Sequence, residues 1–275
     1  YKSVLSDNTS LATVKLVVEG SQNISSSYEK SGILQAVLSY DLDDASIELV
    51  LDAVEDMSSS YEQSRVISTL IKEQKLDELS TERLLEAASE ISSDYEKSKV
   101  ASALIGSRDL TSKEIILLAE YSNDISSSYE QSKLLQSLAR SEAMSEQATE
   151  MIILMAEEVS SSYEQSKILM QVILNSDLKG DNFDTMVEAA SGISSSYESS
   201  KVLMQLIKQD NISNENYVNL INAVADVSSN YERAKLLTAI APNLPDNKMI
   251  EEAFFEAADG LSNTDYGTVM KAMRR

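Results

Sequence analysis

Apolar residues recur along this chain with a helical period, and the pattern itself recurs. After Tyr61, the residues Val66, Ile67, Leu70 and Ile71 fall on one stripe; after Tyr129, Leu134, Leu135 and Leu138 do the same. Spacings of three and four place side chains on one face of a helix with 3.6 residues per turn. A second stripe precedes each tyrosine: Val50, Ala53, Val54 and Met57 before Tyr61, and Leu84, Ala87, Ala88 and Ile91 before Tyr95. Its recurrent alanines predict close approach between helices. Each period thus predicts two amphipathic helices separated by polar residues.

The polar break is itself a motif. ISSSYEKSGIL at Ile24–Leu34 returns as MSSSYEQSRVI, ISSDYEKSKVA, ISSSYEQSKLL, VSSSYEQSKIL, ISSSYESSKVL and VSSNYERAKLL. The marker pairs are Tyr28 and Glu29, Tyr61 and Glu62, Tyr95 and Glu96, Tyr129 and Glu130, Tyr163 and Glu164, Tyr197 and Glu198, and Tyr231 and Glu232. The tyrosines are 33 residues apart once and 34 apart five times; a degenerate copy, NTDYGTVMKAM, places Tyr266 another 35 on.

With the tyrosine as position zero, Ser, Asp or Asn stands at -1 and Ser at -2, both good helix N-caps. Ser26-x-x-Glu29 fits a capping box, with the choice of capping serine open by one residue. A Lys or Arg at +4 is placed for a weak contact with the Glu three residues before it. The tyrosines are expected to pack between units and the glutamates to complete the caps, so the signature is structural.

A two-helix unit of about 34 residues cannot enclose both apolar faces alone, but stacked units can. The predicted fold class is therefore all-α, an α-solenoid of about eight helix-turn-helix repeats. No linker or composition shift interrupts it, so residues 1–275 are expected to form one continuous domain. It would open in a truncated repeat at 1–24, with 1–6 as the tail of a first helix. It would close in a degenerate or capping half-repeat at 262–275. Because the chain starts inside a repeat, it is expected to be a fragment of a longer protein.

Composition removes several classes of function. There is no Cys, His or Trp, the net charge is -22 and the pI is near 4.3. Thiolate chemistry, ordinary zinc sites and an imidazole base are excluded. Strong acidity argues against direct contact with nucleic acid, which calls for Lys/Arg patches. No apolar run is long enough to insert in a membrane. Carboxylate pairs suited to hydrolysis carry no specificity in so acidic a chain. Asp41, Asp43 and Asp44, and Asp177, Asp181 and Asp184, lack the spacing of a calcium loop and fit helix N-termini. No enzyme activity, metal or cofactor is expected.

Charge is distributed unevenly. Seven spans holding the second helices and the loops that lead into them (41–57, 76–90, 110–125, 141–159, 176–193, 210–227 and 246–261) contain 32 of the 45 acidic and 4 of the 23 basic residues. These spans carry -28 and the remainder +6. A focused negative face attracts cationic partners, although acidity also serves solubility. The candidate binding face comprises Asp43, Asp52, Glu82, Glu86, Glu146 and Glu150. A second candidate comes from broken repeat symmetry on the first helices: Met170 and Gln171, with Met204 and Gln205 one unit later. Core packing is the simpler expectation for these four.

The motif [IV]-S-S-[SD]-Y-E-K-[SA]-K-[VIL]-L resembles a bacterial "SDYEK" repeat found in envelope proteins and after the peptidase region of beta-lactam-sensor-type membrane metallopeptidases. Length and helix pairing also resemble HEAT and tetratricopeptide arrays, although the tetratricopeptide consensus is absent. The resemblance implies a bacterial source, an extracytoplasmic interaction domain, a right-handed array and second helices on the concave side. It implies no catalysis here, since a chain without His cannot carry the peptidases' zinc motif. The expected function is a non-enzymatic scaffold whose acidic face binds a protein or peptide with a basic surface. The alternatives are self-association into a structural array, or an acidic nucleic-acid mimic that inhibits a DNA-binding protein.

Overall fold

A computed structural model describes residues 11–210 and 212–273. The expected helix tail at 1–6 and the closing Arg274 and Arg275 lie outside the described residues. Those described form sixteen α-helices and contain no strand. In chain order, the second helices of the sequence repeats are α1 (Leu11–Gln22), α3 (Asp44–Glu55), α5 (Glu78–Ser89), α7 (Ser112–Tyr121), α9 (Glu146–Glu157), α11 (Asp181–Gly192), α13 (Asn214–Ala225) and α15 (Lys248–Ala258). The first helices are α2 (Ser27–Val37), α4 (Ser60–Glu73), α6 (Asp94–Ser107), α8 (Ser128–Leu138), α10 (Ser162–Asn175), α12 (Ser196–Ile207), α14 (Asn230–Ile240) and α16 (Asn263–Ala272). The fold is an all-helical repeat array of the solenoid kind.

The chain divides into two compact units, Tyr1–Leu134 and Leu135–Arg275. In the first, α2 packs on α4 and α4 on α6, while α1, α3, α5 and α7 pack in sequence beside them. In the second, α10, α12, α14 and α16 form one layer, and α9, α11, α13 and α15 form the other. Each unit is therefore two layers of helices with a core between them.

The predicted stripes form that core. Val66, Ile67 and Leu70 of α4 and Leu84, Ala87 and Ala88 of α5 are wholly enclosed. So are Ile168 and Val172 of α10 and Leu220 and Ile221 of α13. Enclosing each Leu, Ile or Val contributes roughly 1.5–3 kcal/mol relative to leaving it in water. The alanines allow the helices to approach closely without loss of packing.

The position -2 serine is the cap. Ser26, Ser59, Ser93, Ser161, Ser195 and Ser229 each accept from the backbone N–H of the glutamate three residues on. The degenerate copy corrects the sequence register. Ser262 caps α16 through the N–H of Asp265, which puts Thr264 rather than Tyr266 in the marker position. Residue identity marks Tyr266, whereas helix geometry places it two residues further on. Gly180 precedes α11 with φ 53°, a left-handed conformation that glycine reaches without a Cβ clash.

Candidate functional site

The signature residues join neighbouring repeats. The glutamate after each marker tyrosine was expected to turn back on its own cap. Instead, Glu96 accepts from the Ser64 hydroxyl of the preceding repeat. Glu198 accepts from Ser166 at 2.5 Å and Glu232 from Ser200 at 2.7 Å. These glutamates are buried, so an ionised carboxylate there needs such partners. The position +4 lysine supplies the charge: Lys99 lies 3.2 Å from Glu96, Lys167 2.9 Å from Glu164 and Lys201 2.9 Å from Glu198. Burial raises the Glu198 carboxyl, but the Ser166 hydroxyl and Lys201 outweigh it and leave its pKa lowered.

The same lysines reach back over the tyrosines. Lys99 Nζ is 5.2 Å from the centre of the Tyr61 ring, and Lys201 Nζ is 5.8 Å from Tyr163 and 5.6 Å from Tyr197. Ser64, Glu96, Lys99 and Tyr61 thus close a clasp between two repeats; Ser166, Glu198, Lys201 and Tyr163 close another. The rings are not buried between units as expected. The markers from Tyr28 to Tyr231 are 54–72% exposed. Tyr61 and Tyr163 serve as platforms for the ammonium of the next repeat, and the markers as a set are surface rather than core residues.

Apart from Glu114, buried in the α7 capping box beside Arg108, the second helices carry mostly exposed carboxylates, and the structure sorts the candidates. Asp43 is occupied: it caps α3 through Ser46 and pairs with Lys15 at 3.0 Å. The Ser46 hydroxyl and Lys15 hold its carboxyl below the ordinary value. Asp52 is also occupied. Arg83 of α5 donates to Glu48 at 3.0 Å, Asp52 at 2.9 Å and Glu55 at 2.6 Å. Burial opposes the Arg83 charge, and the three carboxylates more than compensate.

Glu82 and Glu86 are exposed and make no ion pair among the described residues. They meet Glu120 and Asp124 around an open depression of about 270 Å³ between α5 and α7. Leu85, Leu117 and Tyr121 line it. Tyr121 is buried, with its hydroxyl 3.3 Å from the Lys97 carbonyl; burial, then Asp124 and Asp94, raises its pKa. Glu86 and Ser89 also border a wider cleft between α3 and α5, shared with Glu55, Arg83 and Glu90. The sequence counts contained Glu120 and Asp124, but nothing in their spacing singled them out.

In the second unit, Glu146 and Glu150 are exposed on α9. Further along that helix the exposed Glu157 has its pKa raised, first by partial desolvation and then by repulsion from Glu188 and Glu158. Met170, Gln171, Met204 and Gln205 are half-buried rather than core residues. Gln171 accepts from Arg140 at 2.9 Å. Among the described residues no helix is long and apolar enough to cross a membrane, and no group of three or more acidic side chains is placed to hold a metal ion.

No family model matches the chain, and no curated protein matches it. A solved chain described under "Computational Design of Self-Assembling Cyclic Protein Homooligomers" aligns with 96% of this chain and 92% of its own at 11% identity, with a TM-score of 0.17. That score means the two backbones do not superpose as whole bodies, and nothing about assembly transfers. The fold itself rests on the helix pairs described above.

Proposed function

We propose that this chain is a non-catalytic scaffold that uses the outer side of its second helices to bind a protein or peptide with a basic surface. The observation that carries this is the depression between α5 and α7. Four carboxylates, Glu82, Glu86, Glu120 and Asp124, stand around apolar side chains. Lysine and arginine match that arrangement: the methylene stem lies on Leu85 and Leu117, and the charged head meets the rim. Glu96, Glu198 and Glu232 of the first helices are drawn into contacts between repeats, whereas Glu82, Glu86, Glu120 and Asp124 are exposed.

The test is fluorescence anisotropy with a labelled Lys/Arg-rich peptide. The native chain is compared with a Glu82→Gln, Glu86→Gln, Glu120→Gln and Asp124→Asn variant. The native chain is expected to bind, more weakly as salt screens the charges. The variant should lose about tenfold or more in affinity, ~1.4 kcal/mol. Equal binding by both chains, or none by the native chain at low salt, overturns the proposal.

A further inference from the structure

Two first helices of the second unit, α10 and α12, depart from the repeat, whereas α14 keeps a polar residue, Thr238, at position +7. At positions +7 and +11 after the tyrosine, the first unit has Ser68 and Lys72 in α4 and Ser102 and Gly106 in α6. The second unit has Met170 and Leu174 in α10, and Met204 in the matching place on α12. The structure puts these positions on the outside of the layer. Met170 and Met204 are half-buried on helices that pack together, and Leu174, one turn beyond Met170, is 64% exposed. The exposed Tyr163 ring extends the patch by two turns along α10. The exposed Lys208 makes its rim basic, beside Lys201, whose charge is paired with Glu198. Exposed apolar side chains that replace polar ones at otherwise repeated positions mark an interaction surface, and methionine adapts to varied partners.

The complementary surface is on α15 of the same unit. Its outer arc carries Met249 at 68% exposure and Phe255 at 44%, with exposed Glu252 and Glu256 between and beside them. One side is apolar with Lys208 at its rim; on the other, Met249 and Phe255 flank Glu252, which pairs with Lys248 at 3.3 Å, and Glu256 adds an exposed carboxylate beside them. We infer that the outer face of α10 and α12 receives α15 from a second copy of this chain. Different patches meet in such a contact, so it is heterologous and repeats from copy to copy unless a ring closes. This is independent of the depression between α5 and α7: if it fails, recognition of a basic peptide there is untouched.

The test is sedimentation equilibrium of the full chain at physiological ionic strength, over a wide concentration range. Two variants accompany it: Met170→Ser, Leu174→Ser, Met204→Ser, and Met249→Ser, Phe255→Ser. All five positions are exposed or half-exposed, and each variant retains one intact partner surface. The native chain should gain mass with concentration, and each variant alone should stay monomeric. An equimolar mixture should stop at one-to-one dimers, because each variant supplies the surface the other lacks. That complementation also shows that both variants are folded. A native chain that remains monomeric throughout, a variant that assembles as the native chain does, or a mixture that stays monomeric overturns the inference.

Discussion

Glu198 serves two relationships at once. Its backbone N–H satisfies the Ser195 cap, while its side chain accepts from Ser166 in the preceding repeat. Replacing Ser166 by Ala leaves a buried carboxylate short of one donor, which is expected to cost about 1–2 kcal/mol. Urea unfolding would measure that loss. Ser229→Ala removes only a cap and should cost ~1 kcal/mol in the same assay. The capping role was legible in the sequence because Ser and Glu stand three residues apart. The Ser166 bond was not, because its partners are 32 residues apart and meet only when two helices pack.

Among the helices, two glutamates have opposite pH behaviour. The folded pKa of Glu198 lies below its ordinary 4.5, so its stabilisation is full above that value and is lost as pH falls through the folded value. Thermal unfolding should therefore show a decline below roughly pH 4.5, and the decline should be smaller in Glu198→Gln. Glu157 on α9 is exposed, yet partial desolvation, then Glu188 and Glu158, raises it above 4.5, so its ionised form weakens the fold only slightly after solvent screening. Glu157→Gln should raise the melting temperature at pH 7. The gain should shrink as pH falls through the raised value, where the native carboxyl takes up its proton. An unchanged melting temperature at pH 7 would show that the three carboxylates relax apart. Helix pairing and the enclosed stripes were legible from the 3.6-residue period. The shift of α16 was not, because the Tyr266 match followed residue identity and the Ser262 cap sets the helix start.

At the scale of the molecule, acidity divides into committed and free charge. Arg83 joins Glu48, Asp52 and Glu55 in one network on the first unit. Arg83→Met should leave three neighbouring carboxylates in repulsion and lower the urea midpoint, with a partial recovery in salt. Absence of any salt-dependent recovery would assign the loss to side-chain packing instead. The same variant should still bind a basic peptide, because Glu82, Glu120 and Asp124 remain around their depression.

By itself the sequence determined the helix pairs, their caps, the core stripes and the separation of acid from base. All of these follow from the spacing of side chains within a helix or from residue counts. Only tertiary structure decided what each charge meets. It turned Glu96 and Glu198 into inter-repeat acceptors, left the tyrosines in solvent and tied Asp52 to Arg83. It also gathered Glu82, Glu86, Glu120 and Asp124 around one depression. The physical reason is distance along the chain: contacts within one turn are set locally, whereas partners about 30 residues apart are chosen by which helix faces pack together.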